Sequence, residues 1–309
     1  MGTTTTMKRS ANTRRLLAGL AAIAALATVG ETAQAQEILL TGPLAGAPAV
    51  RKLRLHREGR FELAPSVSFT LLDEYQREIL PGARLNYNIT EWLAVGVWGG
   101  VAFGPLHRPT ALSKEIQKVN RTRRLNVQDE ATRADTNDDL DLLLTKVNLG
   151  ADFEEQLGQI DWVAAPQVTL IPFRGKISLF KAIYVDTDLY FFLGGAFVGL
   201  KERAPCDNTP TAPCSLNDAF SFERESRMAI APTFGTGLTF YANEWSALGV
   251  EWRALPFAWN TGGFDTAGGG QDDDFPDGKI TDQDRQFQFN QMVTVSYNLY
   301  FPFEYGLSE

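Results

Sequence analysis

Apolar and polar positions alternate along most of this chain with a period of two. In FELAPSVSFTL, Phe61, Leu63, Val67, Phe69 and Leu71 take one face, and Glu62, Ala64, Ser66, Ser68 and Thr70 take the other. Only an extended strand puts every second side chain on one face. The same parity runs through Ala83, Leu85, Tyr87 and Ile89, then through Leu93, Val95, Val97, Val101 and Phe103. It returns near the end in Phe287, Phe289, Val293, Val295, Tyr297, Leu299, Phe301 and Phe303. The pattern predicts eight strands, near 60–72, 79–90, 92–104, 160–172, 182–200, 227–242, 245–259 and 285–303. Between them, the one helical candidate is Leu112 to Val127.

One strand–turn–strand unit is written twice. LNYNITEWLAVGVW (Leu85 to Trp98) lies over LTFYANEWSALGVEW (Leu238 to Trp252) at an offset of 153 residues. Both place Glu-Trp at a tight connection. The stretches from Gly104 to about Gln159, Lys201 to Ser226 and Asn260 to Asp284 are long, whereas PFRGKISLF reads as a modest connection. Tight turns on one side and long polar loops on the other are the plan of an outer-membrane barrel. Both repeated turns would face the periplasm, with Trp92 and Trp245 at the membrane interface. A soluble sandwich also alternates, but its second face would carry Lys, Glu, Thr and Arg in quantity. Here that face is mostly Gly, Ala, Ser, Asn and Thr, which suits a crowded lumen. The expected fold is therefore all-β: an eight-stranded antiparallel transmembrane β-barrel with short periplasmic turns and longer extracellular loops.

The ends fit that compartment. Lys8, Arg9, Arg14 and Arg15 precede an apolar run from Leu16 to Val29, and AQA closes at Ala35. This reads as a signal peptide over residues 1–35, cleaved after Ala35, with Met1 or Met7 as its start. Residues 36–59 are then an N-terminal periplasmic segment, 60–303 the barrel, and 304–309 a C-terminal tail. Without the signal, 25 Lys and Arg stand against 36 Asp and Glu, a net charge of −11. An acidic chain with no basic stripe argues against a nucleic-acid partner. The expected surroundings are outer-membrane lipid, the barrel-assembly machinery, and other envelope proteins of a Gram-negative cell.

Candidate chemistry is sparse. Parity points six charges inward: Glu62, Arg84, Asp186, Asp188, Glu251 and Arg253. Eight strands leave a bore about wide enough for side chains, so these groups either pair into a plug or line an ion path. Four carboxylates against two guanidiniums would leave an excess of negative charge. Cys206 and Cys214, in CDNTPTAPC, suggest a disulfide across a loop of an exported protein. DDDFPDGKITDQD offers Asp273, Asp277 and Asp284 as calcium ligands around a turning Gly. The competing reading is a solvated acidic tip. Apart from that ion, no cofactor is expected. His56 precedes the first strand and His107 opens the long loop, and nothing in the sequence places a Ser or carboxylate beside either, so no catalytic residue is assigned. FGTGLTF holds only a GxG, whose glycines make room for lumen aromatics. The basic run KVNRTRRLNV is followed by QDEATRADTNDDLD, which reads as a self-complementary loop or a surface-binding patch.

Longer phrases carry a resemblance. GRFELAPSVSFTLLDEY, LNYNITEWLAVGV, NLGADFEEQLGQIDWVAAPQVTLIPFRGKISLF, VDTDLYFFLGGAFVGLKERAPC and RQFQFNQMVTVSYNLYFPF resemble the outer membrane β-barrel domain family of myxobacteria and related deltaproteobacteria. It spans about Val50 to Phe303. The resemblance implies an outer-membrane barrel and no catalytic residues. One departure is EYGLSE after Phe303, where many such proteins end on Phe. The expected role is non-catalytic: structural, adhesive or partner-binding through surface loops, within an envelope complex. The alternatives are a narrow channel for small solutes and a membrane-embedded enzyme acting on lipid.

Overall fold

A computed structural model describes residues 57–119, 153–179, 183–207, 209, 211 and 223–302. The signal segment, its cleavage point after Ala35, His56, Cys214, the charged run from residue 120 and the C-terminal tail lie outside the described residues.

The alternating segments are strands. They are β1 (Phe61–Leu71), β2 (Gln76–Asn88), β3 (Leu93–Val101), a short β4 (His107–Pro109), β5 (Gln159–Leu179), β6 (Ile183–Arg203), β7 (Arg224–Tyr241), β8 (Ser246–Trp259) and β9 (Gln286–Phe301). Every pairing is antiparallel, and β1 pairs with both β2 and β9. The order β1-β9-β8-β7-β6-β5-β3-β2 therefore closes into a ring of eight, with β4 beside the β2 tip. Closure leaves no edge in the ring, which is what lipid demands of a sheet. The chain is an eight-stranded transmembrane β-barrel.

The parity read from sequence is the parity of burial. In β1, Phe61, Leu63, Val67, Phe69 and Leu71 are exposed, while Glu62, Ala64, Ser66, Ser68 and Thr70 are buried. Around the ring, Leu85, Val95, Val97, Val168, Phe191, Leu193, Leu238, Val250 and Val295 face outward. An apolar belt on this scale belongs in hydrocarbon rather than water.

Two features depart from the expected boundaries. PFRGKISLF, read as a connection, is strand: Phe173 pairs with Leu189 and Lys176 with Asp186. A bulge after Leu170 inserts one residue, so Pro172 and Phe173 are both exposed and the period breaks. A second bulge at Asp161 does the same at the other end of β5. Of the helical candidate, residues 112–119 are helical, and the rest lies outside the described residues.

The repeated turns share one mechanism. Thr90 Oγ1 accepts from the backbone N–H of Trp92 and Leu93, at 3.4 and 3.1 Å. Asn243 Oδ1 accepts from those of Trp245 and Ser246, at 3.0 and 2.8 Å. The Trp92 carbonyl then accepts from Ile171 N–H, and the Trp245 carbonyl from Tyr300 N–H, locking each turn to the neighbouring strand. Trp92 and Trp245 are exposed at this end.

Candidate functional site in the lumen

Inward-facing polar residues from six strands meet inside the ring. Arg84 on β2 sits between two carboxylates. Its Nη2 donates to Glu62 on β1 at 2.7 Å, and its Nη1 to Glu251 on β8 at 2.6 Å. The same Nη1 donates to the Tyr190 hydroxyl on β6 at 2.8 Å, and that hydroxyl donates to Glu251 at 3.0 Å. Arg253, two residues along β8, turns back to Glu251 Oε1 at 2.7 Å. The Arg253 Nη2 that makes this contact also donates to Gln167 Oε1 at 2.7 Å, and Nη1 donates to Thr233 Oγ1 at 3.0 Å. The Arg253 guanidinium is sandwiched by Trp98 and Phe192, 4.3 and 4.2 Å from the ring centres. Such faces favour a planar cation.

Glycines shape this space. A Cβ at Gly237 would come within 2.3 Å of the Tyr190 ring, and one at Gly235 within 2.5 Å of Phe192. The GxG of FGTGLTF thus seats the two aromatics that orient Arg84 and Arg253.

Asp188 belongs to a lower layer. It pairs at 2.8 Å with Arg57, from the segment before β1, and accepts from the Tyr241 hydroxyl at 2.5 Å. Arg57 also donates to the Tyr241 hydroxyl and lies over the Tyr241 and Tyr300 rings. Arg60 donates to the carbonyls of Glu244, Tyr300 and Pro302. Glu91, in the first repeated turn, accepts from Arg57 N–H at 3.0 Å and pairs with Arg174 at 2.5 Å. Burial pushes the Glu91 carboxyl up, but Arg174 and the Glu58 and Arg57 N–H groups outweigh it and hold it below the usual range.

Two expectations are corrected. Asp186 is not in the lumen network: it is half-buried near the tight-turn end and faces Lys176 at 3.6 Å. Nor does the network of described residues carry an excess of negative charge. Arg57, missed because no alternation precedes β1, supplies a third cation, so Glu62, Glu251 and Asp188 balance Arg84, Arg253 and Arg57. The gap bordered by Arg57, Glu62, Arg84 and Tyr190 is too small for a water molecule.

The long-loop end is also covered. A helical turn, Phe153–Gln156, buries Phe153, Gln156 and Leu157. Phe153 stacks on Phe264 at 5.5 Å and meets Tyr75 edge-on at 5.7 Å. Gln156 Nε2 donates to the Gly262 carbonyl at 2.9 Å. Nearby, His107 Nδ1 contacts Glu78, with Asp161 3.7 Å from Nε2.

The calcium ligands expected at Asp273, Asp277 and Asp284 do not converge. Asp273 is exposed. Asp284 is committed to the backbone: its carboxylate accepts from Thr266 N–H and Thr281 N–H, both at 2.6 Å, and closes a capping box. Cys206 is buried and its backbone bonds to Ile280; no cysteine among the described residues is free.

No family model matches the chain, and no curated protein does. Solved structures similar to it include the N-terminal β-barrel domain of Pseudomonas aeruginosa OprF, at 7% identity over 79% of this chain and 98% of that one, with a TM-score of 0.38. OprG of the same organism is 8% identical over 81% and 99%, with a TM-score of 0.36. Ail, the attachment invasion locus protein of Yersinia pestis, is 11% identical over 79% and 99%, with a TM-score of 0.30. Likenesses this distant carry no argument about role. The barrel stands on its own strand register.

Proposed function

We propose that this chain is a non-catalytic outer-membrane protein of a Gram-negative envelope, whose closed barrel anchors long extracellular loops for partner binding. The observation that carries this reading is the filled lumen: three guanidiniums and three carboxylates pair across it in two layers. A solute path needs mobile water, whereas the terminal guanidinium nitrogens of these arginines donate to the carboxylates and to lumen Tyr, Gln and Thr side chains. At the loop end, among the described residues, the turn at Phe153–Gln156 packs over the barrel through Phe153 and Phe264, a base from which long loops present surface.

In this reading residues 1–35 are the cleaved export signal, and the tight turns face the periplasm. Cys206 is bonded to Cys214, the lipid belt contacts outer-membrane lipid, and the assembly machinery inserts the barrel. The resemblance to the myxobacterial family fits the same assignment. The test is conductance of the purified full-length protein in planar bilayers. The expected result is no steady current. A stable, ohmic, ion-selective pore would replace the anchor with the channel.

A further inference from the structure

We propose that the loop between β8 and β9 binds one calcium ion through Asp265, Asp272 and Asp277. One carboxylate oxygen from each lies within 4.8 Å of the others. Calcium takes oxygen ligands at 2.3–2.6 Å, so oxygens on opposite sides of the ion are roughly 4.6–5.2 Å apart. The triad therefore has the span of one calcium coordination sphere.

The second observation is Asp265 itself. It is 8% exposed, and its Oδ1 is buried with no hydrogen-bond partner. Oδ2 is held by Gly278 N–H at 2.6 Å, which aims the carboxylate at the turn carrying Asp277. Buried polar atoms are nearly always satisfied, and an orphaned carboxylate oxygen beside two more carboxylates is the least comfortable exception. Among the described residues, neither Asp265 nor Asp272 has an ion-pair partner. Lys279 sits 3.0 Å from Asp277, an exposed ammonium where a cation would go.

The donor set selects the ion. All three ligands are carboxylate oxygens, with no His or Cys, which suits hard cations and not zinc. Magnesium demands near-ideal octahedral geometry at about 2.0–2.1 Å and gives up its water reluctantly, so a flexible set of three carboxylates favours calcium. Local spacing in sequence misses the site, because Asp265 is twelve residues before Asp277 and joins it only through the fold.

The experiment is isothermal titration of calcium chloride into the chelator-treated full-length protein in detergent micelles. One saturable site is expected, with Kd on the order of 10⁻⁴–10⁻³ M, as in extracellular modules. Magnesium should bind at least tenfold more weakly. Asp265→Asn should weaken calcium at least tenfold while retaining the heat-modifiable barrel band on gels. Lys279→Ala, at an exposed position, should tighten it severalfold by removing the competing ammonium. No saturable heat by roughly 10 mM calcium would overturn the site. So would unchanged binding in a folded Asp265→Asn protein, or in Lys279→Ala.

Discussion

Arg84 is bonded to two buried carboxylates and a phenol, and its removal is felt on both sides. In Arg84→Ala, Glu251 keeps Arg253, but Glu62 loses its guanidinium partner. Breaking a buried pair from one side costs about 3–5 kcal/mol. The temperature at which the folded gel band disappears should fall sharply, and adding Glu62→Gln should recover part of the loss. Equal temperatures for wild type and Arg84→Ala would show that the pair contributes nothing. Asp73, between β1 and β2, tests the other sign. Burial pushes its carboxyl up to about 7; the Thr70 hydrogen bond opposes this and Glu78 adds to it. Its Oδ2 is buried and unpartnered. The folded state then binds a proton that the unfolded state releases near the ordinary Asp value of about 3.9. Stability from this group is present at low pH and is lost as pH rises from about 4 to about 7. Asp73→Asn should flatten that slope in unfolding measured across the window. An unchanged slope would place the titration elsewhere.

Strands were legible in the sequence because a membrane sheet makes the period-two signal strong: one face must be apolar and the other small. The limits of legibility are equally physical. β5 carries two bulges, and each inserts a residue that inverts the parity, so its last seven residues read as a connection. The repeated Glu-Trp turns were visible as words, but their mechanism, the Thr90 and Asn243 oxygens, needed coordinates. Arg57 was invisible because it reaches the lumen from irregular backbone, and Asp265 because its partners are distant in sequence. The parity itself can be tested within one strand. Val95 is outward and exposed, and Ala94 is inward and 1% exposed. Val95→Arg should cost about 2–4 kcal/mol, as lipid-facing charges near the midplane do, and still assemble. Ala94→Arg should fail to assemble, since Ala94 borders a gap too small for water beside Arg84. Equal yields of folded barrel from the two variants would invert the inside–outside assignment.

At the scale of the molecule, closure is divided among layers in series. The cap around Phe153 covers one end, the Arg84–Glu251–Arg253 network fills the middle, and the Arg57–Asp188–Tyr241 layer occupies the tight-turn end. Resistances in series are set by the narrowest step, so opening one layer should not open the barrel. Arg57→Ala removes a cation from Asp188 and from the faces of Tyr241 and Tyr300. It leaves Glu62, Arg84 and Glu251 bonded. The stability cost should approach the buried-pair range of about 3–5 kcal/mol, reduced because Arg174 Nε stands 3.8 Å from Asp188 and can share its charge. Planar-bilayer recordings of Arg57→Ala should therefore stay silent while its unfolding temperature drops. A steady current from that single variant would mean that the segment before β1 alone seals the pore. The middle layer would then be the lining of a gated path rather than a plug.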